Sequence, residues 1–473
     1  MLRTSDAGVM HVAASMSPCS AARAQSRPRR PLSRIRGMGG AQSAALPSAA
    51  AKRRIGALVS IATVILLFSL SLLSESDIRP SSMVPFETDQ PVFTPYKSAH
   101  AYNCSAIFDG KLAVIRKAQR YMSIKMFSPY IAPVKDKCAE FPLINHPHLP
   151  EEVNFPIAYS ILAFRNFDQF FRLFTAIYRP WNSYCIHVDS KASPEMFAKV
   201  SQLVDCLPNT ILTPVRENVK WGRMTVLSAA LHCFRSLIEE RLTWRYLLNI
   251  AASDYPLKSN LEIVRHLVQL EGKSDVETLA RKDEWKYQYS YRNAEPVELV
   301  SNGQCIKYFN SNRLELDCPA LPLKGNPPHG LEVHKGSFSV ALERQFVVYL
   351  LYDRVALDFL HWLGDVYIPD EYFWSTLYYS TYAARHGLTT NETTFMVRYT
   401  HWGDQRPLCT GYYEHGLCVF GVGDLKWLTK RAELFAHKFD RDTQPVALDC
   451  MEERIWNRTW SPHLSDFAVT AGD

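Results

Sequence analysis

Beyond about residue 150, apolar positions fall into two alternating kinds of stretch. "FPIAYSILAF" (Phe155 to Phe164) is a near-continuous apolar run of strand length, the pattern of a strand buried on both faces of a parallel sheet. Asn166, a good helix cap, follows it, and Phe167, Phe170, Phe171, Phe174, Ile177 and Tyr178 then recur at helical spacing. "SYCIHVDSKAS" (Ser183 to Ser193) predicts a second strand ending in Asp189, with a helix expected over about Pro194 to Val204. The short strand "TILTPV", a long helix beginning near Gly222 and a strand in "YLLNIAASDYPL" (Tyr246 to Leu257) continue the alternation, with Asp254 at the carboxyl end of that strand. This order predicts an α/β fold, a doubly wound, mostly parallel sheet with right-handed crossovers. Ligands of such sheets bind outside the carboxyl ends of the strands, where Asp189 and Asp254 both fall.

The pattern before residue 104 is different. Residues 1–54 are rich in Ala, Ser, Pro and Arg, carry little periodicity, and read as a disordered tail. "IGALVSIATVILLFSLSLL" (Ile55 to Leu73) contains no charge and is long enough to cross a bilayer, so it predicts a transmembrane signal-anchor helix. Lys52-Arg53-Arg54 precede it and Glu75 and Asp77 follow, which puts the tail in the cytoplasm and the rest of the chain across the membrane. Residues 74–103 hold four prolines and read as a stem, and residues 104–473 as one folded unit without internal repeats.

Charge sharpens this division. The chain carries a formal +6, yet residues 1–54 hold ten Lys/Arg against Asp6, a net +9, which leaves −3 for the remainder. A slightly acidic body argues against a nucleic-acid partner. Of eleven cysteines, ten lie after the predicted span, an even number that suits disulfides in an oxidising lumen. Their spacing lacks the short pairs of a zinc site. Three N-x-S/T sequons, at Asn103, Asn391 and Asn457, are candidate glycosylation sites.

Candidate chemistry begins at His187-Val188-Asp189-Ser190-Lys191. A metal-holding D-x-D pair would need an acid where Lys191 stands, and one carboxylate is a poor site for Mg or Mn. Asp189 reads equally as a nucleotide contact or as the cap of the following loop. Without a metal, a departing diphosphate needs fixed cations or helix-terminal amides. "CVFGVGDLKWLTKRAELFAHKFD" (Cys418 to Asp440) offers a Gly421/Gly423 turn, Asp424 opening a helix, and Lys438. In "VYIPDEYFWSTL" (Val366 to Leu377), Asp370 and Glu371 precede an aromatic helix start. They read either as helix-terminal charge or as a base whose pKa burial raises for work on a sugar hydroxyl.

Taken in order, "IHVDSKA", "WGRMTVLSAALHCF", "WRYLLNIAASDYPLKSNLEIV", "GSFSVALER", "IPDEYFWSTL", "CVFGVGDLKWL" and "LFAHKFD" resemble the core-2/I-branching β-1,6-N-acetylglucosaminyltransferase family. The resemblance runs from about Cys104 to Cys450. It implies a Golgi type II membrane protein with a GT-A fold, transferring GlcNAc from UDP-GlcNAc with inversion and without a metal or other cofactor. It implies Glu371 as catalytic base, Asp189, Lys438 and Trp221 on the donor side, and His415 where core-2 enzymes have a second diphosphate-binding arginine. On the acceptor side it implies Glu277 and Trp402, with Lys282 and Lys286 as shifted basic candidates and Asp404 replacing an expected aromatic. Disulfides carried over by resemblance are Cys104 to Cys450, Cys138 to Cys206, Cys185 to Cys233 and Cys409 to Cys418, with Cys305 to Cys318 as an additional pair. The implied acceptor is an O-glycan on a glycoprotein, the GalNAc of Galβ1-3GalNAc, and a homodimer is a further possibility. The rival readings are a UDP-xylose-dependent protein O-xylosyltransferase and a luminal glycan-binding protein with weak or no transfer.

Overall fold

Seven residues of the first apolar run form β1 (Ile157–Ala163), and alternate side chains along it enter two different cores. Ile157, Tyr159 and Ile161 pack with Phe170, Phe174 and Tyr184, whereas Ala158 packs with Leu227, Phe234 and Trp374. Such a strand has no solvent face, which is why its sequence shows no polar alternation. β2 (Ser183–Val188), β3 (Thr210–Leu212) and β4 (Tyr246–Ala251) join it in parallel in the order β3-β2-β1-β4. The computed structural model describes residues 102–121, 138, 146, 148–240, 242–279, 298–301, 304–309, 312–316, 324–387 and 395–470, with the backbone path alone at 121, 298–301, 304–309, 312–316, 384 and 462–470. All described residues fall within one unit spanning 90–473.

Further strands are β5 (Asp254–Pro256), β6 (Glu298–Ser301), β7 (Gln304–Phe309), β8 (Asn312–Leu316) and β9 (Ala341–Glu343). β9 closes the main sheet antiparallel to β4, and β6-β7-β8 form a separate antiparallel meander. The sheet is therefore mixed but mostly parallel. Register aligns Ala163 with Val188 and Leu162 with Ala251, so three strands end at one edge.

Helices cover both faces. α1 (Phe167–Ile177) begins at Asn166, whose side chain accepts from the Gln169 N–H at 3.2 Å. Ser193 caps α2 (Pro194–Asp205), which has Pro194 in its first turn. α3 (Met224–Glu239) packs on β1 and β2 from the opposite face to α1. α4 (Asn260–Gln269) starts from a capping box between Ser259 and Glu262.

A second sheet orders β10 (Arg398–Thr400), β13 (Phe435–His437) and β5, and beside it runs the hairpin of β11 (Tyr412–Glu414) and β12 (Leu417–Val419). The hairpin turn, His415-Gly416, has positive φ at both residues (52 and 80°), as a two-residue primed turn demands. The C-terminal helix α5 (Pro445–Thr470) packs on α1, where the buried Arg172 pairs with Asp449 and, at 3.4 Å, with Glu452.

Three of the expected disulfides are formed, Cys104–Cys450, Cys138–Cys206 and Cys409–Cys418. The expected pair Cys185–Cys233 is corrected: both are buried thiols, hydrogen-bonded to each other and not bridged, between β2 and α3. Burial pushes the Cys185 thiol well up, and its hydrogen bond with Cys233 adds to the rise. Cys318 of the fifth expected pair lies outside the described residues, as do the expected tail, the expected span 55–73 and the stem up to residue 101. Among the described residues no helix is long and apolar enough to cross a membrane.

Candidate active site

Asp189 lies just beyond the end of β2 and is nearly buried. Its Oδ1 accepts from the Lys191 N–H at 2.8 Å and its Oδ2 from Lys191 Nζ at 2.6 Å. Lys191 Nζ also donates to the Val219 carbonyl at 2.5 Å. The residue occupying the second-acid position therefore neutralises the first acid, and both Asp189 oxygens are engaged. That donor set does not fit a divalent ion, which takes several oxygen ligands.

Val219 begins a line of contacts into the Glu371 turn. Trp221 is 73% exposed and meets Tyr367 edge-on at 5.6 Å, and the Gly222 carbonyl accepts from the Ile368 N–H at 3.0 Å. Gly222 is required: φ is +73°, and a Cβ would lie 2.6 Å from the Tyr367 ring. Ile368 adopts φ 55° before the 3₁₀ turn Pro369–Glu371, and the helix Phe373–Leu377 follows. Its Phe373 and Trp374 are fully buried, so the aromatic run anchors the turn that carries the acids.

Glu371 Oε2 is buried, makes no hydrogen bond, and lies 3.3 Å from Lys335 Nζ. Asp370 beside it is pushed up to about 7 by burial first and by the Glu371 charge second. Burial also pushes Glu277 up, with the pull of Arg398 outweighed and the Glu371 charge adding to the rise. Glu277 and Glu371 are thus neighbours. The segment holding Glu277 is tied to the aromatic helix by Ser375 Oγ, which donates to the Glu277 carbonyl at 2.8 Å, and by Tyr379, which donates to the Val276 carbonyl at 2.8 Å.

Lys438 Nζ donates to Glu414 Oε2, and Arg165, just past the end of β1, lies 3.7 Å from the other Glu414 oxygen. The Lys438 ammonium holds the Glu414 carboxyl below the usual range. Backbone bonds fix Lys438 against the small disulfide loop: its carbonyl accepts from the Phe420 N–H at 3.0 Å and its N–H donates to the Cys418 carbonyl at 3.3 Å. The buried Asp424 braces the same loop, accepting from the Thr410 and Gly421 N–H groups at 2.9 and 2.8 Å. Cys409, Cys418 and Asp424 are close enough for metal ligation, but the disulfide occupies both sulfurs.

His415 is an exposed turn residue, and the hairpin presents the neighbouring Glu414 to Lys438, with the His415 ring close enough to act on the Glu414 charge. Asp254 departs from expectation: it opens β5 and is fully buried, with His437 Nδ1 at 2.7 Å, Arg398 at 3.8 Å and the Ala251 N–H at 2.8 Å. Burial disfavours its charge, but Arg398 and His437 outweigh that and hold its carboxyl below the usual range. Trp402 is half exposed and bridges to Leu417 of β12. Lys282 and Lys286 lie outside the described residues, as does Asn391. Asn103 is exposed and caps the helix Cys104–Phe108, and Asn457 is exposed on α5.

Residues 157–429, more than half of the chain, match the family described as Core-2/I-Branching enzyme. The chain belongs to that family. It is 35% identical over 364 residues to an N-acetyllactosaminide β-1,6-N-acetylglucosaminyl-transferase of Mus musculus, covering 75% of this chain and 85% of the relative. The Homo sapiens protein of the same description is 37% identical over 313 residues, 65% of this chain and 74% of the relative. A Homo sapiens β-1,3-galactosyl-O-glycosyl-glycoprotein β-1,6-N-acetylglucosaminyltransferase is 30% identical over 383 residues, 75% and 84% of the two chains. In this family member the site acquires Lys335, Arg398, Glu414 and Arg165, none of which local sequence pattern singles out. Each is defined by partners far away in the chain, so no spacing rule points to it.

Proposed function

We propose that this chain is a GT-A-type, inverting β-1,6-N-acetylglucosaminyltransferase that moves GlcNAc from UDP-GlcNAc to a glycan 6-hydroxyl without a metal. The observation that carries the reading is the partly exposed Glu371 carboxylate, its Oε2 buried without a hydrogen bond, beside Glu277 and tied through Gly222 to the loop that holds Asp189. On this reading Glu371 takes the proton of the acceptor hydroxyl as its oxygen attacks the anomeric carbon. The bond from that carbon to the diphosphate oxygen breaks, and UDP leaves with the electron pair. Lys438 and Arg165 stabilise the charge on the departing diphosphate. Asp189, held by Lys191, contacts the nucleotide, and Glu277 and Trp402 contact the acceptor. The chain then acts in the Golgi lumen, anchored by residues 55–73.

The acceptor is the GalNAc of Galβ1-3GalNAc on O-glycans. A second reading, the galactose of N-acetyllactosamine, is favoured by the higher identity to the N-acetyllactosaminide enzymes, 35 and 37% against 30%. The relatives' names favour neither xylose transfer nor binding without transfer.

The test assays the full chain in detergent with UDP-GlcNAc and each acceptor, with and without EDTA, beside Glu371→Gln. Transfer unaffected by chelation and abolished in E371Q with UDP affinity kept is expected. Loss with EDTA would overturn the metal-free scheme, and turnover in E371Q the base assignment.

A further inference from the structure

Lys335 holds a place in the site that no recognised motif assigns. The main chain around it is clamped on two sides: the Lys335 carbonyl accepts from the Leu279 N–H at 2.8 Å, and the Gly336 N–H donates to the Glu371 carbonyl at 2.7 Å. The clamp admits no side chain at 336, since a Cβ there would meet the Glu277 carbonyl at 2.0 Å and Ser375 Oγ at 2.2 Å. With its backbone fixed, the Lys335 side chain reaches Glu371 Oε2 at 3.3 Å, and the two side chains are 16% and 27% exposed.

We infer that Lys335 is a positioning residue of the transfer reaction, its ammonium keeping the Glu371 carboxylate ionised and in one orientation for the acceptor hydroxyl. The inference rests on the reading of Glu371 as the base. Charge explains why the base needs a cation. Asp370 adjoins Glu371 on its own turn, and Glu277 faces it from the segment that runs to Leu279, with the Asp275 charge acting on Glu277 in turn. Arg398 of β10 also draws on Asp370 and Glu277, but its ion pair is with the buried Asp254 at 3.8 Å. Carboxylates this close disfavour one another's charge, and Lys335, which also draws on Glu277, is the cation paired with Glu371. A cation beside a base costs basicity, but a base crowded by acids is limited first by the fraction of it that is ionised.

Lys335→Met keeps most of the apolar stem and removes the charge. The acidic limb of kcat/KM is expected to move up by about one pH unit, with kcat near neutrality falling several-fold and the donor KM unchanged. Lys335→Arg restores both. A second readout needs no turnover: the carboxyl ¹³C titration of Glu371 in the glutamate-labelled full chain, identified by its absence in E371Q. A higher midpoint in K335M than in wild type supports the inference. An unmoved midpoint overturns it, as does an unmoved acidic limb, even where kcat falls. If E371Q retains turnover, the base reading fails, and the ¹³C midpoints still show whether Lys335 sets the Glu371 charge.

Discussion

Glu414 places a carboxylate on Lys438, and on the proposed reading, in which that lysine meets the departing diphosphate, the side chain competes with the donor. Both cations near it, Lys438 and Arg165, are engaged by it, and the site is open enough that Glu414 remains about a third exposed. Pairs at such exposure are worth about 0.2–1 kcal/mol, so the competition is modest. Glu414→Gln is accordingly expected to lower the KM for UDP-GlcNAc by about two- to five-fold with kcat unchanged, measured at fixed saturating acceptor. An unchanged or raised donor KM would show that Lys438 is not freed for the donor. At this scale the sequence was legible where a residue's place is written in its neighbours: Asp189 at a strand end, Glu371 after Pro369, Lys438 after the glycine turn. It was illegible where the role is written in a distant partner. Asp254 stands at the position where a ligand contact is expected, but His437, 183 residues later, takes its carboxylate. Nothing in "SDYPL" announces that pairing.

Among elements, the extended segment around Gly336 does for Glu277 and Glu371 what the small disulfide hairpin does for Lys438. One lies between the Glu277 segment and the aromatic helix, and the other between Trp402 and Lys438. Gly336→Ala forces a methyl group into the Glu277 carbonyl, a backbone atom that cannot swing aside. Overpacking of this kind costs about 1–3 kcal/mol, and here the displaced backbone carries Glu277 and bonds to Glu371. G336A is therefore expected to lose transfer by tenfold or more while a thermal melt falls only a few degrees and UDP affinity is kept. A loss of stability with full activity in the surviving folded protein would show that the clamp does not position the acids. Strands and helices of the main sheet were readable because periodicity is local, and β1 to β4 with α1 to α3 fall where the apolar pattern puts them. The second sheet was not, since its strands are three residues each and pair residues near 255, 399 and 436. The cysteine pair between β2 and α3 shows the same limit, because proximity of two buried sulfurs does not by itself make them a disulfide.

Over the whole molecule, the two kinds of disulfide do different work, and loop length decides which. Cys104–Cys450 closes a loop of separation 346 and ties the helix Cys104–Phe108 to α5, where Tyr102 also bonds Asp449. Chain-entropy reasoning gives such a closure about 5–6 kcal/mol, a large part of the 5–15 kcal/mol that keeps a typical domain folded. Cys409–Cys418 closes a separation of nine, for which the same reasoning gives about 2.5–3 kcal/mol, but it lies directly against the backbone bonds of Lys438. Replacing Cys104 and Cys450 together by alanine is expected to lower the denaturant midpoint strongly while the protein that remains folded keeps its donor KM. Replacing Cys409 and Cys418 together is expected to do the reverse, raising the donor KM several-fold for a smaller loss of stability. Equal effects of the two double variants on KM would mean that donor binding follows global stability, and that the small loop does not hold Lys438 in place.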